Sequence, residues 1–203
     1  MPQLRMLLLG TANISDDGLS NMRYLKYLVE LDISNNSPTY RYRNKITDDG
    51  LFHLQNNVSI QNLRIGFNIN TSDVGIKYIC FLKNLIYLDL YLTDITDLSL
   101  LYISQSLSNF ETLNIESCED ITNIGIRHIS SLPVLKFLII NYCNDVTKEG
   151  LDCLQSHVHV SYAKEEDELS LEEGDDDDEE SEDVSDDDSY YSSDSIQELS
   201  DAQ

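Results

Sequence analysis

Tryptophan and long hydrophobic runs are missing from this chain of 203 residues, and proline is rare, with three residues. No apolar stretch approaches the roughly 20 residues that a membrane-spanning helix needs. The short apolar run from Leu4 to Leu9 contains Arg5 and continues directly into repeated sequence, which argues against a signal peptide. We therefore expect an intracellular protein, cytoplasmic or nuclear, that does not enter a membrane.

Cysteine is scarce and is not arranged as a set of metal ligands. Cys80, Cys118, Cys143 and Cys153 show none of the short C-x-x-C spacings that are typical of zinc sites. In a reducing compartment such residues remain free thiols. Cys118 and Cys143 lie at equivalent positions of the repeat described below. A reactive pair is conceivable there, but buried packing thiols are the favoured interpretation.

Motifs that carry catalysis are absent as well. The sequence has no G-x-x-x-x-G-K, G-x-S-x-G, H-E-x-x-H or G-x-G-x-x-G segment. His157 and His159 alternate with Val158 and Val160, and exposed histidines on a short closing strand are favoured there over a metal pair. We expect a protein that is not an enzyme and that uses neither a cofactor nor a metal.

Basic residues nearly vanish from the C-terminal end. Residues 164–203 contain 20 of the 37 Asp and Glu but one of the 13 Lys and Arg, so they carry −19 of the formal net charge of −24. This segment has few large apolar side chains and cannot bury enough surface to offset the entropy of ordering. The composition predicts a folded domain at 1–162 and a disordered polyacidic tail at 163–203.

The first of these parts contains a repeat. Six segments share the spacing apolar-x-x-apolar-x-apolar, and their starts are separated by 24, 32, 25, 25 and 25 residues. The alternating apolar residues at the end of each segment predict a strand with one buried face. The segments begin at Leu4, Leu28, Ile60, Leu85, Phe110 and Leu135.

A second pattern follows each strand: Ser or Thr, a polar and usually acidic residue, and then Gly or Ser before an aliphatic residue. The Ser or Thr predicts a helix N-cap, and acidic residues in the first turn compensate the helix dipole. A further apolar residue three positions after the aliphatic one gives the short helix a buried stripe. The expected caps are Ser15, Thr47, Ser72, Thr96, Thr122 and Thr147.

Each unit is thus a strand, a turn and a capped helix, which can bury its apolar faces only by stacking on its neighbours. Together with a small or polar residue in the turn, the I-T-D-x-G-L pattern resembles the cysteine-containing class of leucine-rich repeats. This class is found in F-box/LRR substrate receptors and in relatives that lack an F-box. The small turn residues are Ala12, Asn36, Asn68, Thr93, Cys118 and Cys143.

The resemblance implies an α/β fold: a leucine-rich-repeat solenoid, or horseshoe, of about six strand–helix repeats with a parallel sheet on its concave side. It also implies protein binding through that side. Two features depart from the family pattern. We expect no F-box, because the first repeat begins at Leu4, and the second repeat carries about seven extra residues, Ser37 to Arg43.

Side chains that alternate with the strand leucines should face away from the core and are the candidate binding residues. Aromatic anchors at such positions bury a large area at low entropic cost, and a contiguous exposed patch is typical of a contact site. Alternatively, single aromatics here only cover neighbouring strands. The candidates are Arg64, Tyr87, Asp89, Asn114 and Phe137 on the strands, and Phe67, Tyr91 and Tyr142 just past them.

The extra residues of the second repeat interleave Tyr40, Arg41, Tyr42 and Arg43, a pattern that can suit base stacking and phosphate contacts. Because a net charge of −24 repels nucleic acid at long range, we do not expect direct nucleic-acid binding. A surface loop is the favoured interpretation.

The tail has acidic runs that would attract basic, histone-like proteins, although a solubilising tail without a dedicated partner is the simpler interpretation. Ser170, Ser185 and Ser195 each have an acidic residue three positions later, the context that acidophilic kinases such as casein kinase 2 favour. These three serines are candidate phosphorylation sites.

Together these patterns predict a monomeric, non-catalytic module for protein–protein interaction. On the family resemblance, it would be a substrate-receptor-like or decoy component of ubiquitin ligation that binds protein through the concave face. The alternative is a chaperone or regulator of basic proteins that works through the acidic tail.

Overall fold

In the computed structural model, the described residues are 3–10, 12–35 and 45–164. Within them, seven parallel strands form one open sheet in sequence order. All six strands expected from the repeat are confirmed, and a closing strand follows at the predicted histidine segment. The strands are β1 (Met6–Leu8), β2 (Glu30–Asp32), β3 (Asn62–Arg64), β4 (Tyr87–Asp89), β5 (Thr112–Asn114), β6 (Phe137–Ile139) and β7 (His159–Ser161).

Short helices alternate with the strands, and every expected Ser or Thr lies at a helix N-cap. In five of the six helices the cap hydroxyl accepts a hydrogen bond from a backbone N–H of the first turn; Ser15 makes no such bond. Segments Asn21–Tyr24 and His53–Asn56 continue the first two helices as 3₁₀ turns. The helices are α1 (Asp16–Ser20), α2 (Asp48–Phe52), α3 (Asp73–Ile79), α4 (Asp97–Ser106), α5 (Asn123–Ile129) and α6 (Lys148–Leu151).

The core lies between the sheet and the helices. In β2 to β6 the middle leucine of each strand is buried, and the helix stripe, such as Ile76 with Ile79, belongs to the same apolar cluster. At the two ends of the sheet, side chains of the first and last repeats are only partly buried, among them Leu7 and Val160. The interior repeats are therefore the best packed.

The small turn residues close the gap between neighbouring repeats by hydrogen bonding. Asn68 Nδ2 donates to the carbonyls of Ile33 and Ile65, at 3.1 and 2.7 Å. Cys118 Sγ donates to the Leu90 carbonyl at 3.2 Å, and Cys143 Sγ to the Ile115 carbonyl at 3.1 Å. Each of these three side chains is fully buried and contacts a carbonyl of the preceding repeat.

Acidic residues at the helix starts link the repeats, a role that the sequence did not predict. Asp73 Oδ1 accepts from the N–H groups of Thr96 and Ser99, both at 3.0 Å, and Asp73 Oδ2 accepts from the Thr96 hydroxyl at 2.8 Å. Each residue of this series thus clamps the N-cap of the next helix. We call it the aspartate ladder: Asp16, Asp48, Asp73 and Asp97, with Asn123 in the fifth place.

The ladder explains the glycine of the repeat. A Cβ atom on Gly75 would lie 2.5 Å from Asp48 Oδ1 and 2.8 Å from Leu51 Cδ1, and a Cβ on Gly125 would meet the Asp97 carboxylate in the same way. At Gly75 and Gly125 the preceding repeat therefore leaves no room for a Cβ atom in the observed geometry. In α4 the position holds Ser99, whose hydroxyl donates to Asp73 Oδ1 at 2.5 Å.

The segment after β7 still contacts the last repeat. The Tyr142 N–H donates to the Ala163 carbonyl at 2.7 Å, and the Tyr162 hydroxyl donates to the Val146 carbonyl at 2.9 Å. Lys164 Nζ donates to the Asn144 carbonyl at 3.0 Å. The boundary at 162/163 stays a prediction, because the tail that it delimits lies almost wholly outside the described residues.

Candidate functional site

We call the side of the sheet opposite the core the open face. In β2 to β5 the middle residue of each strand is buried and the two flanking residues are only partly buried. The flanking residues include the strand candidates Arg64, Tyr87, Asp89 and Asn114, and Phe137 has the equivalent place on β6. All five strand candidates therefore lie on the open face.

Arg64 joins an ion pair and a ring contact across three strands. Its Nη1 donates to Glu30 Oε1 at 2.7 Å, and its guanidinium carbon lies 5.1 Å from the centroid of the Tyr87 ring. The hydrogen bond to Glu30 raises the pKa of Arg64. Glu30, Arg64 and Tyr87 thus form a row in which the cation is shared between a carboxylate and an aromatic face.

Two acidic groups of the same region are perturbed by burial. Burial raises the pKa of Tyr87, and the nearby Asp89 carboxylate raises it further, so the phenol remains a hydrogen-bond donor. Burial also raises the pKa of Asp89, although the hydrogen bond from the Tyr91 N–H opposes the increase. Ionisation of Asp89 on this face therefore costs more free energy than it would in water.

Asp89 accepts hydrogen bonds both from the turn that follows it and from the neighbouring strand β5. Its Oδ1 accepts from the Tyr91 N–H and from Asn114 Nδ2, both at 3.0 Å. Asn114 Oδ1 accepts in turn from the Glu116 N–H at 3.0 Å. The last residue of each of these strands therefore orders the turn that follows it, and hydrogen bonds hold these side chains in place near the open face.

Phe67 and Tyr91 pack edge to face just past β3 and β4. Their ring centroids are 4.6 Å apart with an interplanar angle of 89°. The Phe67 N–H also donates to the Tyr91 carbonyl at 2.7 Å. Tyr91 is tied to Asp89, so these rings adjoin the strand residues. We call the whole group the central cluster: Glu30, Arg64, Phe67, Tyr87, Asp89, Tyr91 and Asn114.

Phe137 lies apart from the central cluster. The register places Tyr87 beside Thr112 and Thr112 beside Phe137, so two strand spacings, about 10 Å, separate the two aromatics. Phe137 is 48% exposed and stacks on His159 of β7, with centroids 5.4 Å apart and an interplanar angle of 23°. The predicted aromatic patch therefore divides into two clusters.

The residues just past the strands fall into two series, each made of the residues at one position of the repeat. The sequence pattern had placed Phe67, Tyr91 and Tyr142 together. Phe67 and Tyr142 share their position with Leu92 and Ser117, and all four have positive φ, between 52° and 61°. Tyr91 lies one residue earlier in its turn than Phe67 does in its own. The Tyr91 N–H donates to Asp89 Oδ1, the last residue of the strand before it. The two series are neighbours in adjacent turns, since the Phe67 N–H donates to the Tyr91 carbonyl and the Ser117 N–H donates to the Asn141 carbonyl.

Two residues of the clusters were not among the candidate site residues of the sequence analysis. Glu30 holds Arg64, and His159 covers one face of Phe137. The available signal was the strand register: Glu30 and Arg64 carry opposite charges at diagonal positions of neighbouring strands, and His159 is directly opposite Phe137. Such pairs are the usual stabilising contacts across a sheet.

The structure also bears on metal binding, membrane spans and the state of the thiols. Within residues 3–10, 12–35 and 45–164, no group of three or more His, Cys, Asp or Glu side chains could hold a metal ion. In the same ranges, none of the helices is both long enough and apolar enough to span a bilayer. All four cysteines are free, and burial raises the pKa of Cys118 to about 11 and that of Cys143 to about 12.

Several sequence predictions lie outside the described residues. They are the segment Tyr40 to Arg43, the acidic runs of the tail, and the candidate phosphorylation sites Ser170, Ser185 and Ser195. They stay predictions.

No protein-family model matches the chain, and a search of curated proteins gives no match. Among solved structures, an internalin from Listeria monocytogenes is similar, with a TM-score of 0.54 and 25% identity. A chain of the yeast Rad7–Elc1 complex has a TM-score of 0.49 and 13% identity. The alignments cover 71% and 72% of this chain, but only 36% of the internalin and 44% of the yeast chain. The seven-stranded open sheet with its helices is therefore a leucine-rich-repeat-like fold.

Proposed function

We propose that the chain is a non-catalytic protein-interaction module: a leucine-rich-repeat solenoid that binds a partner protein through the concave side of its sheet, the open face. The observation that carries the proposal is the central cluster, in which hydrogen bonds hold Arg64 and Asp89 and a cation–ring contact joins Arg64 to Tyr87. Binding to pre-ordered side chains loses little conformational entropy.

The composition of the cluster favours a protein partner. Tyr87, Tyr91 and Phe67 are partly exposed, and rigid aromatic side chains of this kind often carry most of the energy of an interface. Arg64 and Asp89 offer a donor and an acceptor at fixed positions, which gives orientation. Phe137, on its own part of the face, supplies a second apolar anchor.

The finer proposal is a substrate-receptor-like or decoy component of ubiquitin ligation in the cytoplasm or nucleus. It is supported by the resemblance of the repeat pattern to F-box/LRR substrate receptors. A receptor would bring ligase subunits with it when purified from cells, whereas a decoy would bring the substrate alone.

The alternative function, a chaperone or regulator of basic proteins, is favoured by the charge of −19 on residues 164–203. Binding through such a segment is electrostatic and falls steeply as salt is raised. It requires no aromatic residue on the sheet.

Affinity purification with mass spectrometry distinguishes these functions. The variants are full-length wild type, Arg64→Ala with Tyr87→Ala, and a form truncated after Lys164. We expect the double variant to recover the partner at least about tenfold less well, and truncation to have little effect. Phe52→Ala is the matched control, because Phe52 is an exposed aromatic on a helix. Loss on truncation, with recovery unchanged in the double variant, would instead support the acidic-tail function.

A further inference from the structure

The basic residues of the repeat domain are gathered on one edge. This edge, where helices end and strands begin, carries seven of the eleven Lys and Arg of the described residues, against two acids, Glu111 and Asp152. Arg23, Lys77 and Arg127 lie in last helical turns. We call it the basic edge: Arg5, Arg23, Lys26, Lys77, Lys83, Arg127 and Lys136.

The opposite edge, where strands end and helices begin, has the reverse charge. It carries the aspartate ladder and further exposed acids such as Asp94, Glu119 and Asp120, against three bases, Lys45, Lys148 and Lys164. Since charges more than about 8 Å away are largely screened at physiological salt, a ligand at the basic edge experiences mainly the local positive potential. The negative charge of the whole chain therefore does not decide what binds there.

A groove runs along the basic edge. It includes a cavity of about 690 Å³ whose lining contains Arg5, Tyr27 and the amide side chains of Gln3, Gln61 and Asn84. A second cavity of about 320 Å³ adjoins the first, since Gln61 and Asn84 line both. It adds Asn109 and Glu111, and the Glu111 carboxylate is already paired with Lys136 at 2.8 Å. Side-chain amides both donate and accept hydrogen bonds, as the backbone of an extended peptide requires.

Exposed aromatic rings border this groove and the neighbouring helix ends. Tyr24 is 64% exposed, Tyr27 60% and Phe81 53%. Phe81 lines a further cavity of about 400 Å³ together with Lys77 and Lys83. The edge thus pairs cations with apolar contact area, a combination that favours a ligand with alternating acidic and apolar side chains.

We propose that the basic edge binds an extended acidic peptide segment of a partner protein, with the peptide backbone on the amide-lined groove and its carboxylates on Arg5 and Lys26. A nucleic-acid strand is the less suitable ligand for two reasons. Its phosphate groups only accept hydrogen bonds, so they cannot pair with the amide oxygens of the groove as the N–H groups of a peptide backbone can. In addition, the Arg23 guanidinium already lies 4.8 Å from the centroid of the Tyr24 ring and covers one face of it.

The test measures fluorescence anisotropy with full-length protein. The probe is a labelled peptide in which glutamate alternates with leucine, and the comparison probes are its lysine counterpart and a single-stranded oligouridine. We expect the glutamate peptide to bind and the other two to bind at least about tenfold more weakly. Arg5→Glu with Lys26→Glu should weaken the glutamate peptide about tenfold, since it removes two attractive contacts and adds two repulsive ones.

The control is Lys45→Glu with Lys148→Glu, which changes the net charge by the same amount on the opposite edge. It should leave binding within about twofold of wild type. The proposal is overturned by equal weakening in both double variants, by stronger binding of oligouridine, or by no binding of the glutamate peptide. Tyr87→Ala should not affect this peptide, so the result is independent of the function proposed for the open face.

Discussion

The Asp97 carboxylate holds the N-cap of the next repeat through Thr122. Asp97 Oδ1 accepts from the Thr122 N–H at 2.8 Å, and Oδ2 accepts from the Thr122 hydroxyl at 2.6 Å. The Gly125 N–H adds a third bond to Oδ1 at 2.9 Å. One side chain of α4 thus satisfies three donors at the start of α5, and it stabilises the stacking of the two repeats.

Asp97→Ala should lower the free energy of unfolding by about 2–4 kcal/mol, because three partly buried donors lose a charged acceptor. Urea unfolding followed by circular dichroism measures the change. Asp94→Ala removes the same charge from an exposed position on the same edge, and it should cost less than about 0.5 kcal/mol. Equal effects of the two substitutions would contradict the clamping role.

Gly125→Ala should destabilise the protein by about 1–3 kcal/mol, since the added methyl group meets the Asp97 carboxylate and Leu100 Cδ1. Gly125→Ser should cost less, because Ser99 already fills the equivalent place in α4 and donates to Asp73. Thermal unfolding of both variants checks this order. Gly18→Ala is the comparison: its new atom would meet only Ile14 Cγ2, at 3.1 Å, so stability should stay level or rise by up to about 1 kcal/mol.

The buried thiols predict a loss of stability in alkali. An unfolded cysteine ionises near pH 8.5, whereas burial raises the pKa of Cys118 to about 11 and that of Cys143 to about 12. The unfolded state therefore releases protons first as the pH rises. Each thiol should remove about 1.4 kcal/mol of stability per pH unit above about 8.5, until the pH reaches its folded pKa.

Urea unfolding at pH 8 and pH 10 measures this slope. Cys143→Thr should make it shallower, and threonine suits the site because the buried Thr93 holds the equivalent turn position two repeats earlier. Cys153→Ser, at an exposed position, should leave the slope unchanged. A slope that is the same in all three proteins would show that ionisation of Cys143 does not contribute.

Asp89→Asn should raise the urea midpoint at pH 7. The asparagine oxygen still accepts from Tyr91 and Asn114, while the cost of a buried charge disappears. Because the folded pKa of Asp89 is raised, the wild type is penalised only above the unfolded pKa, so the two midpoints should converge below about pH 4. Asp120→Asn, which changes an exposed acid, should have no such effect. A lower midpoint for Asp89→Asn at pH 7 would refute this assignment.

The strands and caps were predictable because they depend on short-range spacing. Leu63 and Leu88 occupy matching places of their strands, and Thr96 begins a helix, as the repeat requires. The open-face candidates follow from alternation alone. Contacts between repeats were not predictable in the same way, because the partner of Asp97 is 25 residues distant and depends on how neighbouring turns stack. For the same reason the sequence placed Phe67 and Tyr91 in one patch with Phe137 and Tyr142, but it did not predict that these two rings pack edge to face while Phe137 lies apart.

The aspartate ladder determines whether a further repeat could be added at the C-terminal end of the repeat domain, because each helix start must supply an acceptor for the next helix cap. Its places hold aspartate in the first four helices and asparagine in the fifth, but α6 has Lys148 there. A lysine ammonium group carries only donors, so it cannot accept the hydrogen bonds that the N–H and hydroxyl of a threonine cap donate to an aspartate. A repeat grafted after β7 would begin with an unclamped helix, and the single substitution Lys148→Asp would provide the missing acceptor.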